Sequence, residues 1–197
     1  MTLAASIKRA ITTATLSLSC TLVLAVSIAQ AEEVIDLEDA SPNLPGWAAY
    51  GPGPGNQREY RAAAKWDVPF TVTLDNEVFH SGSASLKCET SQDAAEMSPV
   101  PPTIPASGAV TIRFFIRTSG VDSQEGTFVV SQIDSSGKSG KGLSSEKIPP
   151  SDNAWVEVTW TGELNPETAG VRLLFTYKDL PAGARVWLDD ISVKSAE

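Results

Sequence analysis

The sequence predicts an all-β fold, a two-sheet antiparallel β-sandwich of the jelly-roll type. Short runs of β-branched and aromatic residues alternate with polar residues in period two, and clusters of Gly, Pro, Asn, Asp and Ser separate these runs. No segment after the N-terminal region shows the 3.6-residue period of an amphipathic helix. About eight strands with long connections suit a jelly roll. The predicted strands are residues 33–37, 70–74, 83–89, 109–118, 127–134, 155–161, 171–177 and 185–193.

Residues 1–31 have the organisation of a secretory signal peptide. Lys8 and Arg9 precede an uncharged, largely apolar stretch over residues 11–28, and Ala29-Gln30-Ala31 has the small-x-small pattern of a cleavage site. Thr and Ser residues dilute the apolar stretch, which is shorter than the ~20 residues of a comfortable transmembrane helix. We therefore expect cleavage after residue 31, a secreted or periplasmic protein, and no membrane span in the mature chain.

Residues 32–197 fit a single domain of ordinary size. Loss of the two basic residues of the signal peptide lowers the formal net charge from −9 to −11, which argues against nucleic acid or an anionic membrane as the partner. Cys88 is the single cysteine of this segment, so an intramolecular disulfide is excluded. Its alternation with Ala84 and Leu86 predicts a buried structural thiol.

Alternation along the strands predicts an outward-facing surface with several arginines. The apolar even-numbered residues of strand 109–118 are predicted to face the core, and so are the odd-numbered residues of strand 171–177. If these strands and strand 155–161 share a sheet, their other side forms a binding surface. An arginine side chain binds a carboxylate through two parallel hydrogen bonds, which favours an acidic polysaccharide as the ligand. The residues predicted for this surface are Arg113, Phe115, Arg117, Glu157 and Arg172.

Aromatic residues in loop-rich sequence are the second group of candidate ligand contacts. Trp47 and Tyr50 lie within residues 41–55, whose prolines and glycines argue against a central strand, and Trp66 follows nearby. The apolar C–H face of a sugar stacks on such rings. The alternative is that each ring closes an end of the sandwich.

Four stretches of sequence carry a family resemblance. They are residues 36–39 (DLED) followed by 44–47 (LPGW), residues 80–87 (HSGSASLK), residues 154–158 (AWVEV) and residues 184–193 (ARVWLDDISV). These segments resemble galactose-binding-like jelly rolls, in particular carbohydrate-binding modules of the family 4, 9 and 22 type. The resemblance implies an exported, non-catalytic glycan-binding module.

Asp189 is the acid with the sharpest structural expectation. Alternation with Ile191 and Val193 places its side chain on the core side, where an isolated carboxylate is costly. In the resembled modules the equivalent Asp binds a structural Ca²⁺ together with an acid from the first strand, here Glu38, and backbone carbonyl groups. The resemblance thus implies a calcium site. The alternative is a carboxylate that caps backbone N–H groups at the end of the sheet.

The sequence does not point to a catalytic site. His80, the single histidine, lies in a turn beside Gly82, which favours a structural role. Two suitably spaced carboxylates would suffice for a glycosidase, but spacing in sequence does not reveal such a pair. We therefore predict that the protein is not an enzyme and that its partner is a polysaccharide or other glycan. The alternative is a structural or protein-interaction β-sandwich whose partner is a cell-envelope protein.

Overall fold

The structure, a computed structural model, describes residues 31–52, 58–62, 69–121, 126–148 and 151–195. Within these ranges no helix is long and apolar enough to cross a membrane. All eight predicted strands occur there, with shifted ends. The strands are β1 (Ala31–Val34), β2 (Ala48–Pro52), β3 (Arg58–Ala62), β4 (Phe70–Asp75), β5 (Ser85–Thr90), β6 (Ala94–Met97), β7 (Pro99–Val100), β8 (Ile104–Pro105), β9 (Ala109–Ser119), β10 (Gly126–Asp134), β11 (Ser139–Ile148), β12 (Val156–Glu163), β13 (Thr168–Leu180) and β14 (Arg185–Ser195).

Two antiparallel sheets form the sandwich, as predicted. Sheet I has the strand order β12-β9-β14-β5-β4, and β1 pairs with β14. Sheet II has the order β11-β10-β13-β6, and β8 pairs with β13. Successive strands such as β12, β13 and β14 alternate between the two sheets, so the chain crosses the sandwich repeatedly. This exchange between two sheets is the jelly-roll arrangement.

Phenylalanine rings join the two sheets in one core. Phe114 of sheet I lies 5.0 Å from Phe128 and 4.9 Å from Phe175 of sheet II, measured between ring centroids. All three side chains are fully buried, which confirms the faces predicted from alternation. Cys88 is also fully buried, and this burial raises the pKa of its thiol. The predicted structural role of the thiol agrees with this position.

A small third sheet corrects the expectation for residues 41–55. Its order is β3-β2-β7, so β2 is a central strand. Residues 48–51 contain no proline, and Pro52 lies at the strand end, where its missing N–H interrupts no pairing inside the strand. Trp47 precedes β2 and is only 4% exposed, packed in the main core. The prediction that Trp47 is a ligand contact is therefore wrong.

A β-bulge in β14 reverses the alternation that the sequence predicts. Asp189 pairs with Phe115 and Ser192 pairs with Arg113, so three steps along β14 match two steps along β9. Asp190, within the bulge, has a φ of 48°. Asp189 therefore projects from the outer side of sheet I beside Phe115, and the prediction of a core-facing carboxylate is wrong. The core residues that flank the bulge are Val186, Leu188, Ile191 and Val193.

Candidate functional site

The outer side of sheet I brings together four of the predicted ligand-binding residues. Arg113, Phe115 and Arg117 alternate along β9, and Glu157 of β12 lies opposite Phe115. Directly opposed residues of antiparallel strands project from the same side of a sheet. Arg113 and Glu157 are exposed, whereas Phe115 and Arg117 are half-buried. These four residues are called the arginine face below.

Arg172 lies on the other sheet. Its strand, β13, pairs with β10 and β6 of sheet II, and its guanidinium donates a hydrogen bond to Thr103 Oγ1 at 3.4 Å. The hypothesis that Arg172 shares a surface with the arginine face is therefore wrong. Strands β12 and β13 follow each other in sequence but join different sheets, and alternation within a strand does not carry that information.

The remaining aromatic candidates lie away from the arginine face or outside the described residues. Tyr50 is half-buried in β2, and its backbone N–H donates to the Ser98 carbonyl oxygen at 3.0 Å. The Ser98 hydroxyl oxygen lies 3.1 Å from Thr176 Oγ1 of sheet II, within hydrogen-bond distance. Tyr50 therefore borders sheet II. Trp66 lies outside the described residues.

The connection between β4 and β5 lies against the arginine face. The His80 ring stacks on Phe115 with a centroid distance of 3.5 Å and an interplanar angle of 13°, and it meets Trp155 edge-on at 5.8 Å. His80 Nδ1 lies 2.6 Å from Asp190 Oδ2. One face of Phe115 is thus covered, so this ring is not a free platform for a sugar. The sequence indicated the turn at His80 but not the strand on which it packs.

Ser81, His80 and Asp190 lie together without the geometry of a catalytic triad. The Ser81 hydroxyl donates to Asp190 Oδ1 at 2.6 Å, and His80 bonds the other oxygen of the same carboxylate. In a triad the imidazole lies between the hydroxyl and the carboxylate, so that it can remove the hydroxyl proton. Here the carboxylate lies between the two other groups, so the imidazole does not activate the hydroxyl.

Trp187 supports Arg117 from within sheet I. The Arg117 guanidinium carbon lies 5.4 Å from the Trp187 ring centroid, within cation–π range. The Trp187 indole N–H donates to Asp75 Oδ2 at 2.9 Å, and both residues are buried. Burial raises the Asp75 pKa, but hydrogen bonds from Trp187 and two backbone amides, with the charge of Lys87, outweigh it and lower the pKa overall. The ionised carboxylate therefore orients the indole beneath the arginine.

The arginine face holds two guanidinium groups without acidic partners. Among the described residues, Arg113 and Arg117 make no ion pair; Arg113 lies 5.9 Å from the Phe115 ring centroid, and the Arg117 Nε is buried without a hydrogen-bond partner. Arg185 on the same sheet instead pairs with Glu89 at 2.8 Å. In a chain with net charge −9, these two arginines thus carry positive charges that pair with no described carboxylate.

Glu38 and Asp189, the predicted calcium ligands, line one cleft and cap backbone amides there. Glu38 Oε2 accepts hydrogen bonds from the Ser83 backbone N–H at 2.6 Å and from the Ser83 hydroxyl, and these bonds lower the Glu38 pKa. Asp189 Oδ2 accepts from the His80 N–H at 2.7 Å. Burial raises the Asp189 pKa more than the hydrogen bonds from the backbone amides of His80, Asp190 and Ser81 lower it. Both carboxylates therefore accept hydrogen bonds from backbone N–H groups, which is the arrangement that the capping alternative expects for Asp189.

The same cleft provides oxygen donors of the kind that Ca²⁺ prefers. Asp36 and Asp190 also line it, and their carboxylates are hard ligands. In the described part of the chain, no three His, Cys, Asp or Glu side chains converge closely enough to hold a metal ion. A calcium ion there would need backbone carbonyl groups or water beside Glu38 and Asp189. Glu38 and Asp189 are two of the oxygen donors that such a mixed ligand set would need, and calcium stays a prediction.

Solved structures with similar folds include two carbohydrate-binding modules. The CBM22-1 xylan-binding domain of Paenibacillus barcinonensis Xyn10C is 18% identical, with a TM-score of 0.54 over 86% of this chain and 99% of that domain. The family 11 carbohydrate-binding module of Clostridium thermocellum Lic26A-Cel5E is 14% identical, with a TM-score of 0.54 over 85% of this chain and 96% of that module.

A larger protein contains a similar unit. The enzymatically active domain of bacteriophage CBA120 tailspike protein 4 is 14% identical, with a TM-score of 0.57 over 77% of this chain, but the match spans only 20% of the tailspike chain. No protein-family model matches the sequence, and no curated protein matches it. The likeness is thus one of fold. This chain has the β-sandwich jelly-roll fold found in carbohydrate-binding modules.

Proposed function

We propose that this protein is an exported, non-catalytic glycan-binding domain. Its fold matches two carbohydrate-binding modules along nearly their whole length, although fold alone does not determine function. The non-catalytic part of the proposal is supported by the arrangement of Ser81, His80 and Asp190, in which the histidine is stacked on Phe115 and does not activate the serine hydroxyl.

The arginine face is the proposed glycan-binding surface, and an acidic polysaccharide is the proposed ligand. The observation that carries this proposal is the pair of guanidinium groups, Arg113 and Arg117, which have no acidic partner among the described residues. They lie four residues apart on the same side of β9, and Trp187 orients the second. A uronate carboxylate would accept paired hydrogen bonds from either fork. Glu157, exposed opposite Phe115, would accept hydrogen bonds from sugar hydroxyl groups.

Binding to insoluble and gel-embedded polysaccharides tests this proposal. Wild-type protein is compared with the double variant Arg113→Ala/Arg117→Ala on alginate, pectin, xylan and cellulose, with product analysis alongside. We expect retention by the acidic polysaccharides and at least about a tenfold loss in the double variant, because charged hydrogen bonds contribute about 1.5–3 kcal/mol each. Arg172→Ala is the matched control, since it removes an arginine from the opposite sheet.

The binding results distinguish the proposed site, the specificity and the lack of catalysis from their alternatives. Loss of binding in Arg172→Ala alone would move the site to sheet II. Binding to cellulose and xylan with no preference for the acidic polymers would refute the acidic specificity. New reducing ends or unsaturated sugars would refute the non-catalytic assignment. No retention on any polymer, with or without Ca²⁺, would favour the alternative of a domain that binds a cell-envelope protein.

Calcium is proposed as a structural ion held by Glu38 and Asp189. A divalent cation would offset the negative charges that meet where the segment after β1, the β4–β5 connection and the β14 bulge converge. Its contribution would be to stabilise this junction, close to the His80 ring that packs on Phe115. Thermal unfolding with and without chelator tests the proposal, as set out in the Discussion.

A further inference from the structure

A second polar cleft lies at one end of sheet II, remote from the arginine face in the fold. It has a volume of about 280 Å³ and is formed by the end of β10, the β10–β11 turn and the β12–β13 connection. None of its lining residues is aromatic. This cleft is called the end cleft below. Its lining residues include Gln132, Asp134, Lys138, Asn165, Glu167 and Thr168.

Gln132 is the most constrained polar side chain of the end cleft. It is 8% exposed, and its Oε1 accepts hydrogen bonds from the Asn165 backbone N–H at 2.6 Å and the Thr168 hydroxyl at 2.7 Å. The Asn165 backbone N–H can only donate, so the atom facing it is the amide oxygen, and the orientation of the Gln132 amide is fixed. The NH₂ group of this cleft-lining side chain makes no hydrogen bond to a described residue. Solvent reaches this NH₂ group, because it is not among the buried unpaired side-chain atoms of the described residues, so a ligand acceptor in the cleft can pair with it.

Asp134 supplies a fixed acceptor in the same cleft. Its Oδ1 accepts hydrogen bonds from the Ser136 hydroxyl at 2.6 Å, the Ser136 N–H at 2.9 Å and the Lys138 N–H at 3.0 Å. The Ser136 hydroxyl bond contributes most to lowering the Asp134 pKa, so the carboxylate is ionised at neutral pH. Its other oxygen, Oδ2, accepts no hydrogen bond from a described residue. Glu167 adds a second, exposed carboxylate.

We propose that the end cleft binds one sugar unit through its hydroxyl groups. A hydroxyl group both donates and accepts, so neighbouring hydroxyls can donate to Asp134 and Glu167 while another accepts from the Gln132 NH₂ group. A metal cation would suit the two carboxylates but would be repelled by that NH₂ group, whose hydrogens carry positive partial charge. The volume is near the lower end of small-ligand pockets, which fits a single pyranose.

This inference goes beyond the proposed function, because it assigns a separate site with different chemistry. The arginine face would bind an extended acidic chain by charge, whereas the end cleft has no free arginine fork or aromatic floor among its lining residues and would bind a sugar unit by hydrogen bonds alone. The two sites share no residue. Loss of one need not affect the other, and each can be tested in the variant that lacks the other.

Side-chain amide resonances of the ¹⁵N-labelled protein provide the test. Xylose, galactose and glucuronate are each added to tens of millimolar, and the NH₂ signals of Gln132 and Asn165 are followed. We expect a saturable shift of the Gln132 signal with at least one sugar. Gln132→Glu keeps the acceptor oxygen and removes the donor, so the backbone shifts near Asn165 and Thr168 should report affinity weakened by about tenfold or more. Gln92→Glu, at an exposed turn, is the matched control for added charge.

Other outcomes would refute sugar binding in the end cleft or show that it is independent of the arginine face. No shift with any of the three sugars overturns it, as does equal affinity in Gln132→Glu and wild type. A shift produced by CaCl₂ alone would assign a cation site instead. Glu167→Gln, an exposed change that leaves the Gln132 hydrogen bonds in place, should also weaken sugar binding. Arg113→Ala/Arg117→Ala should bind the sugar as wild type does, even if the polysaccharide experiment fails.

Discussion

Replacing Trp187 with phenylalanine should destabilise the domain through a single hydrogen bond. The indole N–H donates to Asp75 Oδ2 at 2.9 Å, and both residues are less than a tenth exposed. Phenylalanine retains a ring beneath Arg117 but leaves the carboxylate without this donor. A hydrogen bond to a charged group contributes about 1.5–3 kcal/mol. Trp160→Phe on the same sheet is the control for the smaller ring, because the Trp160 indole makes no hydrogen bond to a described residue.

The difference between the two variants should depend on pH. The folded pKa of Asp75 is lowered, so its stabilisation is present above the unfolded pKa of about 3.9 and is lost as pH falls through the lower folded value. Trp187→Phe removes a cause of that lowering. The excess cost over Trp160→Phe should therefore be about 1.5–3 kcal/mol at neutral pH and about 0.5–1.5 kcal/mol once the carboxyl is protonated.

Urea unfolding followed by far-UV circular dichroism, from neutral pH to about pH 2, measures both quantities. In thermal scans each kcal/mol should correspond to about 2–4 °C in a domain of this size. Equal unfolding free energies for the two variants would refute the assigned role of the hydrogen bond. An excess cost that does not change on acidification would show that Asp75 is not the group that titrates.

Three further predictions concern export, calcium and the core. Exported protein should begin at Glu32 on N-terminal sequencing, because Ala29-Gln30-Ala31 has the pattern of a cleavage site. Cleavage there would remove the Ala31–Ser195 pair and keep the pairs of Glu32, Glu33 and Val34 with β14. An uncleaved N terminus would contradict this prediction. Calcium at a hundredfold excess over its Kd should stabilise the domain by about 2.7 kcal/mol, and chelator should remove this gain, which Glu38→Gln and Asp189→Asn should lack; identical melting curves would leave only the capping role. Phe114→Ala should cost about 3–5 kcal/mol in urea unfolding, and a much smaller loss would mean that the two sheets are not joined at this ring.

Local pattern was sufficient for the fold class and for much of the arginine face. Period-two alternation depends on the geometry of a single strand, so it correctly separated Phe114 in the core from Arg113 and Arg117 on the outer side. It also placed Glu157 on the same surface, because β12 and β9 do belong to one sheet. Cys88 likewise followed its alternating neighbours into the core.

Tertiary structure decided what depends on pairing between distant strands. Arg172 lies on the opposite sheet because β13 crosses the sandwich, and Trp47 enters the core because the turn before β2 directs it there. One extra residue in the β14 bulge turned Asp189 from the core side to the outer side, since every residue before a bulge changes face relative to those after it. The sequence alone determined the alternation within each strand, whereas the partner of each strand, and the contacts of His80 and Gln132, arose only from long-range packing.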